Sequence, residues 1–417
     1  MVQSEKVERV ERVKKYVIAG TGGRGYSMYG KAIVERFSDV AQLVGLFDVN
    51  PKRCCYVRDE LSHDIPVFSD FSEMLDQAKP DVVIITTVDR FHKEYIVKAL
   101  AAGCGVICEK PLAITSEMCN EIISAEKQYG RKITVTFNCR FMPYFVKMKE
   151  LLDQNAVGEI LNIDFEWMLD TSHGADYFRR WHRYMNMSGG LLVHKATHHF
   201  DIVNWLVQQD PKEVYANGTL RFYEPSREAR GERCCTCPYK ESCEFVFEGA
   251  EIPLIKRLYF DAEQEDGYYR DRCVFSDDID IYDNMSLTIK YSKGALLTYS
   301  LIAHSPYEGW KMSISGKNGR LEAEQFLSGV QSVDPFHHIR LYNRKGDRII
   351  YDCKKDTGNH GGGDEKLLRM LLRGDVPDPL HQFAGSRDGV MSAIIGIAAN
   401  KSIQDHKVIF IDDLLKR

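Results

Sequence analysis

The sequence predicts an α/β protein with two domains, a doubly wound parallel sheet at the N-terminus followed by an α+β domain with a large, mostly antiparallel sheet. Short apolar runs alternate with helix-length stretches up to about residue 138, which is the pattern of parallel strands with helices on both faces. Strand-like segments separated by turns dominate the remainder. The 417 residues also exceed the size of one hydrophobic core, which favours two domains.

The predicted first domain covers residues 1–138 and begins with a strand, a turn and a helix. The apolar run YVIAG is followed by the glycine-rich turn TGGRG and by a helical stretch over residues 26–38. Further strands are predicted at residues 41–48, 81–87 and 105–111. Runs such as VVII indicate strands that are buried on both faces, and right-handed crossovers then place helices on either side of the sheet.

The predicted second domain covers residues 139–417. Its strand-like segments are EILNIDFEWML, EVYANGTLRFY, NMSLTIKYS, GALLTYSLIA and a hairpin around Asn318-Gly319, a pair typical of a primed turn. Helices are predicted at residues 189–209, 364–373 and 389–403. Residues 224–280 are charged, aromatic and rich in cysteine, so we interpret them as an insertion that lies over one edge of the domain or over the site.

Composition and charge favour a cytoplasmic protein that binds small molecules. Hydrophobic residues make up 44% of the chain and charged residues 28%, and the formal net charge of −5 favours neither nucleic acid nor an anionic membrane as a partner. The charged N-terminus lacks the apolar stretch of a secretory signal, and no run of about 18 apolar residues is available to span a membrane. Most of the 12 cysteines are therefore expected to be reduced, packed thiols.

A dinucleotide site is predicted at the turn after the first strand. This turn matches the pattern GxGxxG through Gly20, Gly22, Gly23, Arg24 and Gly25. Glycines let the backbone approach a pyrophosphate, whose charge meets free N–H groups and the positive end of a helix. Asp48, at the end of the second strand, is placed to accept hydrogen bonds from the adenosine ribose and to repel a 2′-phosphate. NAD is therefore favoured over NADP, although nearby Arg53 weakens that preference.

Two groups of polar residues are candidates for the chemistry. Lys110 ends a buried parallel strand at the edge where open α/β sheets hold ligands, and there its amine could stabilise an alkoxide as a hydride leaves carbon. His194, His198 and Asp201 recur at helical intervals, so one helix face could carry a base that titrates near neutrality, with Asp201 as a candidate for binding the substrate. Lys195 is the alternative base.

Two further segments contain less specific candidates for substrate binding. Arg180 and His182 belong to the stretch YFRRWHR, and His360 begins the stretch HGGGD. Both stretches combine features that suit hydroxyl binding and carbohydrate stacking, yet they are equally typical of a polar loop and of a helix start.

These residues together resemble the glucose-fructose oxidoreductase/inositol dehydrogenase/MocA-like (Gfo/Idh/MocA) oxidoreductases. The resemblance covers most of the chain and includes the glycine loop, Thr87 with His92, Glu109-Lys110-Pro111, the segment NCRFMP, and His198 with Asp201. It implies a Rossmann domain, an open-faced C-terminal sheet, bound NAD(P), and a homodimer or homotetramer formed through that sheet. It also assigns Lys110 to the substrate oxygen, and it adds Thr87, His92 and Glu109 to the cofactor site. His194 stands where the family commonly has an aspartate, which leaves the base and the substrate open.

A metal site is a further hypothesis for the insertion. Cys234, Cys237, Cys243 and Cys273 could form a tetrathiolate site for structural zinc. The alternatives are an iron–sulfur cluster and a group of free thiols.

Three functions fit the sequence. The first is NAD-dependent oxidation or reduction of a secondary hydroxyl of a sugar, glycoside or cyclitol, with His198 as the base. The second is redox-neutral cleavage or epimerisation through a keto-sugar, in which NAD takes up the hydride and returns it. The third is a dinucleotide-binding sensor without catalysis, against which the presence of Lys110 and His198 argues.

Overall fold

The computed structural model describes residues 12–355 and 359–416, with the side chains of residues 359–360 left out. The N-terminal sheet contains six parallel strands in the order β6-β5-β4-β1-β2-β3. The strands are β1 (Lys14–Ala19), β2 (Ala41–Phe47), β3 (Val67–Phe68), β4 (Val82–Ile85), β5 (Gly105–Cys108) and β6 (Ile133–Val135). The first predicted helix forms two π-helical segments, Gly25–Gly30 and Ala32–Arg36.

The second sheet is mostly antiparallel and follows the order β14-β13-β12-β11-β7-β10-β9-β8-β16, in which only β7 and β10 run parallel. Its strands in the described chain are β7 (Ile160–Asp170), β8 (Pro211–Thr219), β9 (Asn284–Tyr291), β10 (Leu296–Ser305), β11 (Gly309–Gly316), β12 (Gly319–Phe326), β13 (Phe336–Asn343), β14 (Arg348–Lys354) and β16 (Ile409–Phe410). The short strand β15 (Ala384–Gly385) instead extends the first sheet, antiparallel to β6. The predicted fold class is confirmed.

Helices cover the strands of both sheets. Those of the first sheet are α1 (Pro51–Leu61), α2 (Phe71–Ala78), α3 (His92–Ala101) and α4 (Ser116–Tyr129). The later helices are α5 (Pro143–Asp153), α6 (Thr171–Arg179), α7 (Met185–Ser188), α8 (Gly190–His194), α9 (Thr197–Val207), α10 (Pro253–Ile255), α11 (Glu263–Asp266), α12 (Gly363–Leu372) and α13 (Ser386–Asp405). Among the described residues, no helix is long and apolar enough to cross a membrane.

The second sheet has one covered face and one open face. Strand β9 alternates strictly between exposed and buried residues, as expected for a strand with helices on one side only. Helices α9 and α13 supply the cover, and residues of α13 belong to the cores of both sheets. The segment between β8 and β9 is irregular, with α10, α11, a π-helical segment at Lys256–Phe260 and short 3-10 turns. The boundary at residue 138 and the insertion limits 224–280 stay predictions.

Helix α13 packs tightly against α8, and this contact can be tested. A Cβ atom at Gly396 would overlap the carbonyl oxygen of Leu192, a backbone atom that cannot rotate away. We therefore expect Gly396→Ala to lower the free energy of unfolding by about 1–3 kcal/mol, the usual effect of overpacking. Chemical denaturation would measure the change, with Lys401→Ala on the exposed side of α13 as the control. An unchanged Gly396→Ala variant would contradict this packing.

Candidate active site

The glycine loop leaves β1 in a conformation that needs glycine. Gly20 has a φ of +97°, and a Cβ there would lie 2.7 Å from backbone atoms of Thr86 and Thr87. A Cβ on Gly25 would overlap the carbonyl oxygen of Gly20, so the helix start could not approach the strand. The backbone N–H of Gly23 donates a hydrogen bond to the hydroxyl oxygen of Tyr259, at 3.0 Å. The Tyr259 hydroxyl thus takes the place of an oxygen acceptor at the start of this helix, where the phosphate of a dinucleotide is expected.

Asp48 has two roles at the end of β2. One carboxylate oxygen accepts a hydrogen bond of 2.7 Å from the backbone N–H of Thr21. The other accepts bonds from the backbone N–H of Asn50, at 2.9 Å, and from the guanidinium of Arg53, at 3.0 Å. The carboxylate therefore fixes the glycine loop and the start of α1, and it also lines the neighbouring cavity.

One cavity of about 1130 Å³ joins the glycine loop to the helices that follow β7. Its volume slightly exceeds the usual upper range of small-molecule sites and suits a dinucleotide together with a small substrate. It brings together most of the residues that the sequence predicted: Gly20, Gly22, Gly23, Arg24, Asp48, Arg53, Thr87, Glu109, Lys110, Arg180, His182, His194, Lys195 and His198.

Lys110 follows β5 and is partly buried. Its amine donates a hydrogen bond of 3.0 Å to the carbonyl oxygen of His194. Burial lowers the pKa of Lys110 to about 8, while the negative charges of Asp89 and Glu109 oppose this shift. Lys110 is therefore a cation that can give up a proton near neutral pH, at the edge of the sheet where the cavity lies.

Glu109 and Arg24 form an ion pair beneath the glycine loop. The Arg24 guanidinium donates to Glu109 at 2.7 Å and to Asp364 at 3.1 Å. The hydroxyl of Tyr29 donates a second bond to Glu109, at 2.7 Å. Burial acts to raise the pKa of Glu109, but the charge of Arg24, the hydrogen bonds from Arg24 and Tyr29, and the charge of Lys110 together outweigh it and lower this pKa. Since Asp364 belongs to the first turn of α12, this network ties the glycine loop to the second half of the chain.

His194 is held by a carboxylate that the sequence analysis did not single out. Its Nδ1 lies 2.5 Å from Oδ2 of Asp89, and both side chains are buried. Burial and the charge of Lys110 hold the pKa of His194 well below its usual value, and burial raises the pKa of Asp89. We interpret the contact as a neutral imidazole that donates its Nδ1–H, which leaves Nε2 as an acceptor. Asp89 could have been found because it follows β4 at the same sheet edge as Lys110.

His198 and Lys195 face the same cavity from α9 and the turn before it. The ring of His198 lies 6.0 Å from that of Phe137. The amine of Lys195 lies 5.1 Å from the centre of the Trp167 ring, and burial lowers its pKa. Both rival bases therefore remain compatible with the site.

Three predicted site residues have other surroundings. Asp201 is absent from the residues that line the cavity, because its carboxylate accepts two bonds from the buried guanidinium of Arg140, at 2.6 and 2.8 Å. His92 bridges the carbonyl oxygens of Pro111 and Thr87 with its ring nitrogens, so it positions the Lys110 loop. Gly25 acts through backbone packing. The substrate role of Asp201 and the cofactor role of His92 stay predictions, although in this structure both side chains bind protein groups. The side chain of His360 lies outside the described residues.

The cysteine prediction finds no support. Burial raises the pKa of Cys234 and of Cys273, and charges on neighbouring cysteines add to this effect, so these thiols lie near one another. Nevertheless, within residues 12–355 and 359–416 no group of three or more His, Cys, Asp or Glu side chains is arranged to hold a metal ion. The spacing in sequence therefore did not translate into a metal site, and these four residues remain free thiols in an irregular segment.

Several cavity residues were missed because they are distant in sequence. They comprise Asp89, the aromatic and polar group Trp167, His173 and Glu308, and Tyr259 and Asp266 from the segment between β8 and β9. The imidazole of His173 lies 2.9 Å from Glu308, which comes from the turn before β11. Only Asp89 carried a signal in the sequence, since the others depend on tertiary contacts.

The fold and this site define an NAD-binding protein of the oxidoreductase class. Residues 14–137 match the oxidoreductase family with an NAD-binding Rossmann fold, and residues 149–409 match its C-terminal alpha/beta domain. The chain belongs to the Gfo/Idh/MocA oxidoreductase family.

Individual relatives agree with this membership. The chain is 38% identical to YteT of Bacillus subtilis (strain 168), named as an oxidoreductase, over 97% of this chain and 99% of that protein. It is 29% identical to the inositol 2-dehydrogenase/D-chiro-inositol 3-dehydrogenase of Lactiplantibacillus plantarum over 43% of this chain and about half (47%) of the relative. The WlbA dehydrogenase of Bordetella pertussis, solved with NADH and UDP-GlcNAcA, shares the fold at a TM-score of 0.66 and 18% identity, covering 96% of this chain and 99% of that one.

The lowered pKa of Lys110 makes stability depend on pH. Its pKa falls from 10.5 to about 8, so between these pH values the unfolded chain binds more protons at this side chain than the folded chain. Stability from this group therefore rises with pH across that window. We expect the unfolding free energy of the wild type minus that of Lys110→Met to increase from pH 8 to pH 10.5. Denaturant titrations would measure it, with exposed Lys98→Met as the control. A flat or falling difference would contradict the shift.

Proposed function

We propose that the protein is an NAD-dependent oxidoreductase that acts on a secondary hydroxyl of a sugar, glycoside or cyclitol. The observation that carries this proposal is the shared cavity, in which Lys110 and His198 face the same space as the glycine loop. The glycine loop and Asp48 fit a dinucleotide, because the backbone of the loop leaves no room for side chains at Gly20 and Gly25 and the carboxylate lines the cavity where an adenosine ribose is expected. When bound, NAD supplies the hydride acceptor.

The proposed chemistry needs one cation and one base at the reacting hydroxyl. Lys110 stabilises the negative charge that develops on the substrate oxygen, and its lowered pKa suits proton exchange near neutrality. His198 takes the hydroxyl proton. His194, oriented by Asp89, accepts a hydrogen bond from a neighbouring substrate hydroxyl through Nε2. The resemblance to the family supports the assignments of Lys110 and His198.

The substrate class follows from the cavity walls. Tyr177 and Trp181 present aromatic surfaces next to His182, whose ring stacks on Trp181 at 3.7 Å, and Arg180 adds a cation. Aromatic faces beside polar groups suit the apolar faces and hydroxyls of sugars. Relatives named as inositol dehydrogenases, and a structural relative solved with a nucleotide sugar, favour the same class.

The proposal also includes a homodimer or homotetramer through the open face of the second sheet, and a reducing, cytoplasmic environment.

A redox-neutral variant is the second candidate. In it, a ring hydroxyl would be oxidised to a ketone with its hydride taken up by NAD, and the ketone would acidify the neighbouring C–H. Loss of that proton would be followed either by departure of the adjacent alkoxide and addition of water or by return of a proton on the opposite face, and the hydride would then return to the ketone. The contact between Tyr259 and Gly23 favours this variant, because a segment that covers the glycine loop would slow cofactor release.

Product analysis separates the two variants. Purified protein would be incubated with NAD⁺ and a panel of inositols, aldoses and glycosides, while NADH and sugar products are followed separately. We expect NADH to appear with at least one polyol in equal amount to the ketone formed. Release or epimerisation of sugar without NADH would support the redox-neutral variant instead, and absence of both products would contradict the proposal.

The choice of base can be tested with single variants. We expect His198→Asn to lower kcat by on the order of a hundredfold or more while NAD⁺ affinity stays near that of the wild type, since the side chain acts on the substrate proton. Its pH profile should lose the limb that reports the base. The matched control is His406→Asn, an exposed histidine at the end of α13. Normal turnover in His198→Asn together with loss of turnover in Lys195→Met would assign the proton to Lys195.

A further inference from the structure

A segment between β8 and β9 lies directly on the cofactor end of the first sheet. We call residues 256–268 the docking segment. Leu258 is fully buried and belongs to the hydrophobic core of the first sheet. The side-chain amide of Asn50 donates to the carbonyl oxygen of Ala262 at 2.9 Å, and the Nε of Arg53 donates to that of Leu258 at 3.1 Å. The segment is therefore anchored at the start of α1, beside Asp48.

The docking segment contacts the glycine loop, where the pyrophosphate of a dinucleotide is expected. It also contacts Arg53 beside Asp48, where the adenosine ribose is expected. At one end, the hydroxyl of Tyr259 accepts the hydrogen bond from Gly23 in the glycine loop. At the other end, the carboxylate of Asp266 pairs with Arg53 at 2.9 Å. Tyr259 and Asp266 both line the cavity next to Asp48, so this segment forms a wall of the cofactor site.

Arg53 lies between two carboxylates. Its NH1 contacts Asp48 at 3.0 Å and its NH2 contacts Asp266 at 2.9 Å. The exposed fractions of the three side chains are only 10% for Arg53, 5% for Asp48 and 17% for Asp266, so solvent screens these charges weakly. Summed over the three groups, the formal charge at this position is −1 even though it contains an arginine.

The two carboxylates reverse the effect that Arg53 alone would have on the choice between NAD and NADP. An arginine near the ribose-binding carboxylate is the usual means of accommodating the 2′-phosphate of NADP. Here both terminal nitrogens of Arg53 are already engaged by carboxylates, and a phosphate beside it would meet two negative charges. We propose that Asp266, contributed by the docking segment, is a specificity-determining residue that selects NAD over NADP.

The inference rests on the proposed function only in requiring that a dinucleotide binds at the glycine loop. Cofactor binding tests it without any sugar substrate. Dissociation constants of NAD⁺ and NADP⁺ would be measured by calorimetry for the full chain, for Asp266→Asn and for Asp266→Glu. The matched control is Glu265→Gln, the neighbour in α11, which pairs with Lys52 at the surface. Thermal melting would verify that each variant is folded.

We expect Asp266→Asn to improve NADP⁺ binding relative to NAD⁺ by about tenfold or more, because removing one carboxylate frees Arg53 for the phosphate. Asp266→Glu and Glu265→Gln should keep the wild-type ratio. An unchanged ratio in Asp266→Asn would overturn the inference. A changed ratio that arises only from weaker NAD⁺ binding would also overturn the inference, because Asp266 would then be a ribose ligand or a structural contact.

The outcome is separable from that of the proposed function. If no polyol is converted but Asp266→Asn shifts the cofactor ratio, the proposed function fails and the inference stands. If sugars are oxidised but the ratio does not move, the inference fails alone. A wild-type chain that binds NADP⁺ as well as NAD⁺ would overturn the inference before any variant is made.

Discussion

The pairing of charges at the carboxyl edge of the parallel sheet is the constraint on which the site depends. Parallel strands end together, so Asp48, Asp89 and Lys110 gather at one edge where burial penalises every charged form. Residues from far along the chain bind several of these groups. His194 binds Asp89, and the docking segment brings Asp266 to Arg53 beside Asp48. The two halves of the chain are thus joined by electrostatics at the position where the cofactor and the substrate are expected to meet.

The pair formed by His194 and Asp89 differs from the arrangement that is common in the family. The family commonly has an aspartate at this helix position, and here the imidazole takes its place while a carboxylate comes from the loop after β4. The pair still contains one carboxylate and one imidazole. The charge of Asp89 also raises the pKa of Lys110 against the larger effect of burial, so it helps to keep this lysine protonated.

Local sequence patterns predicted most of the fold. They could not predict which residues pair with one another in the site, because the members of each pair are far apart in the sequence. Apolar runs and the glycine loop were sufficient for the first sheet, and strict alternation was sufficient for β9. Asp201 was assigned to the substrate because helical spacing places it near His198, but spacing cannot show that Arg140, 61 residues earlier, takes its carboxylate. Asp266 is 213 residues from Arg53, so no pattern within the sequence connects them.

The same long-range pairs bear on how the site works. Buried ion pairs such as those of Arg24 and Arg53 cost desolvation energy, so they contribute little net stability, but removing one partner leaves the other charge uncompensated. Their main effect is therefore to fix the relative position of the glycine loop and the second half of the chain. That position matters because a hydride acceptor held by the first sheet and a hydroxyl held near α9 react only at short range. A segment that sets both this position and the charge around the adenosine ribose would link cofactor choice to catalytic geometry.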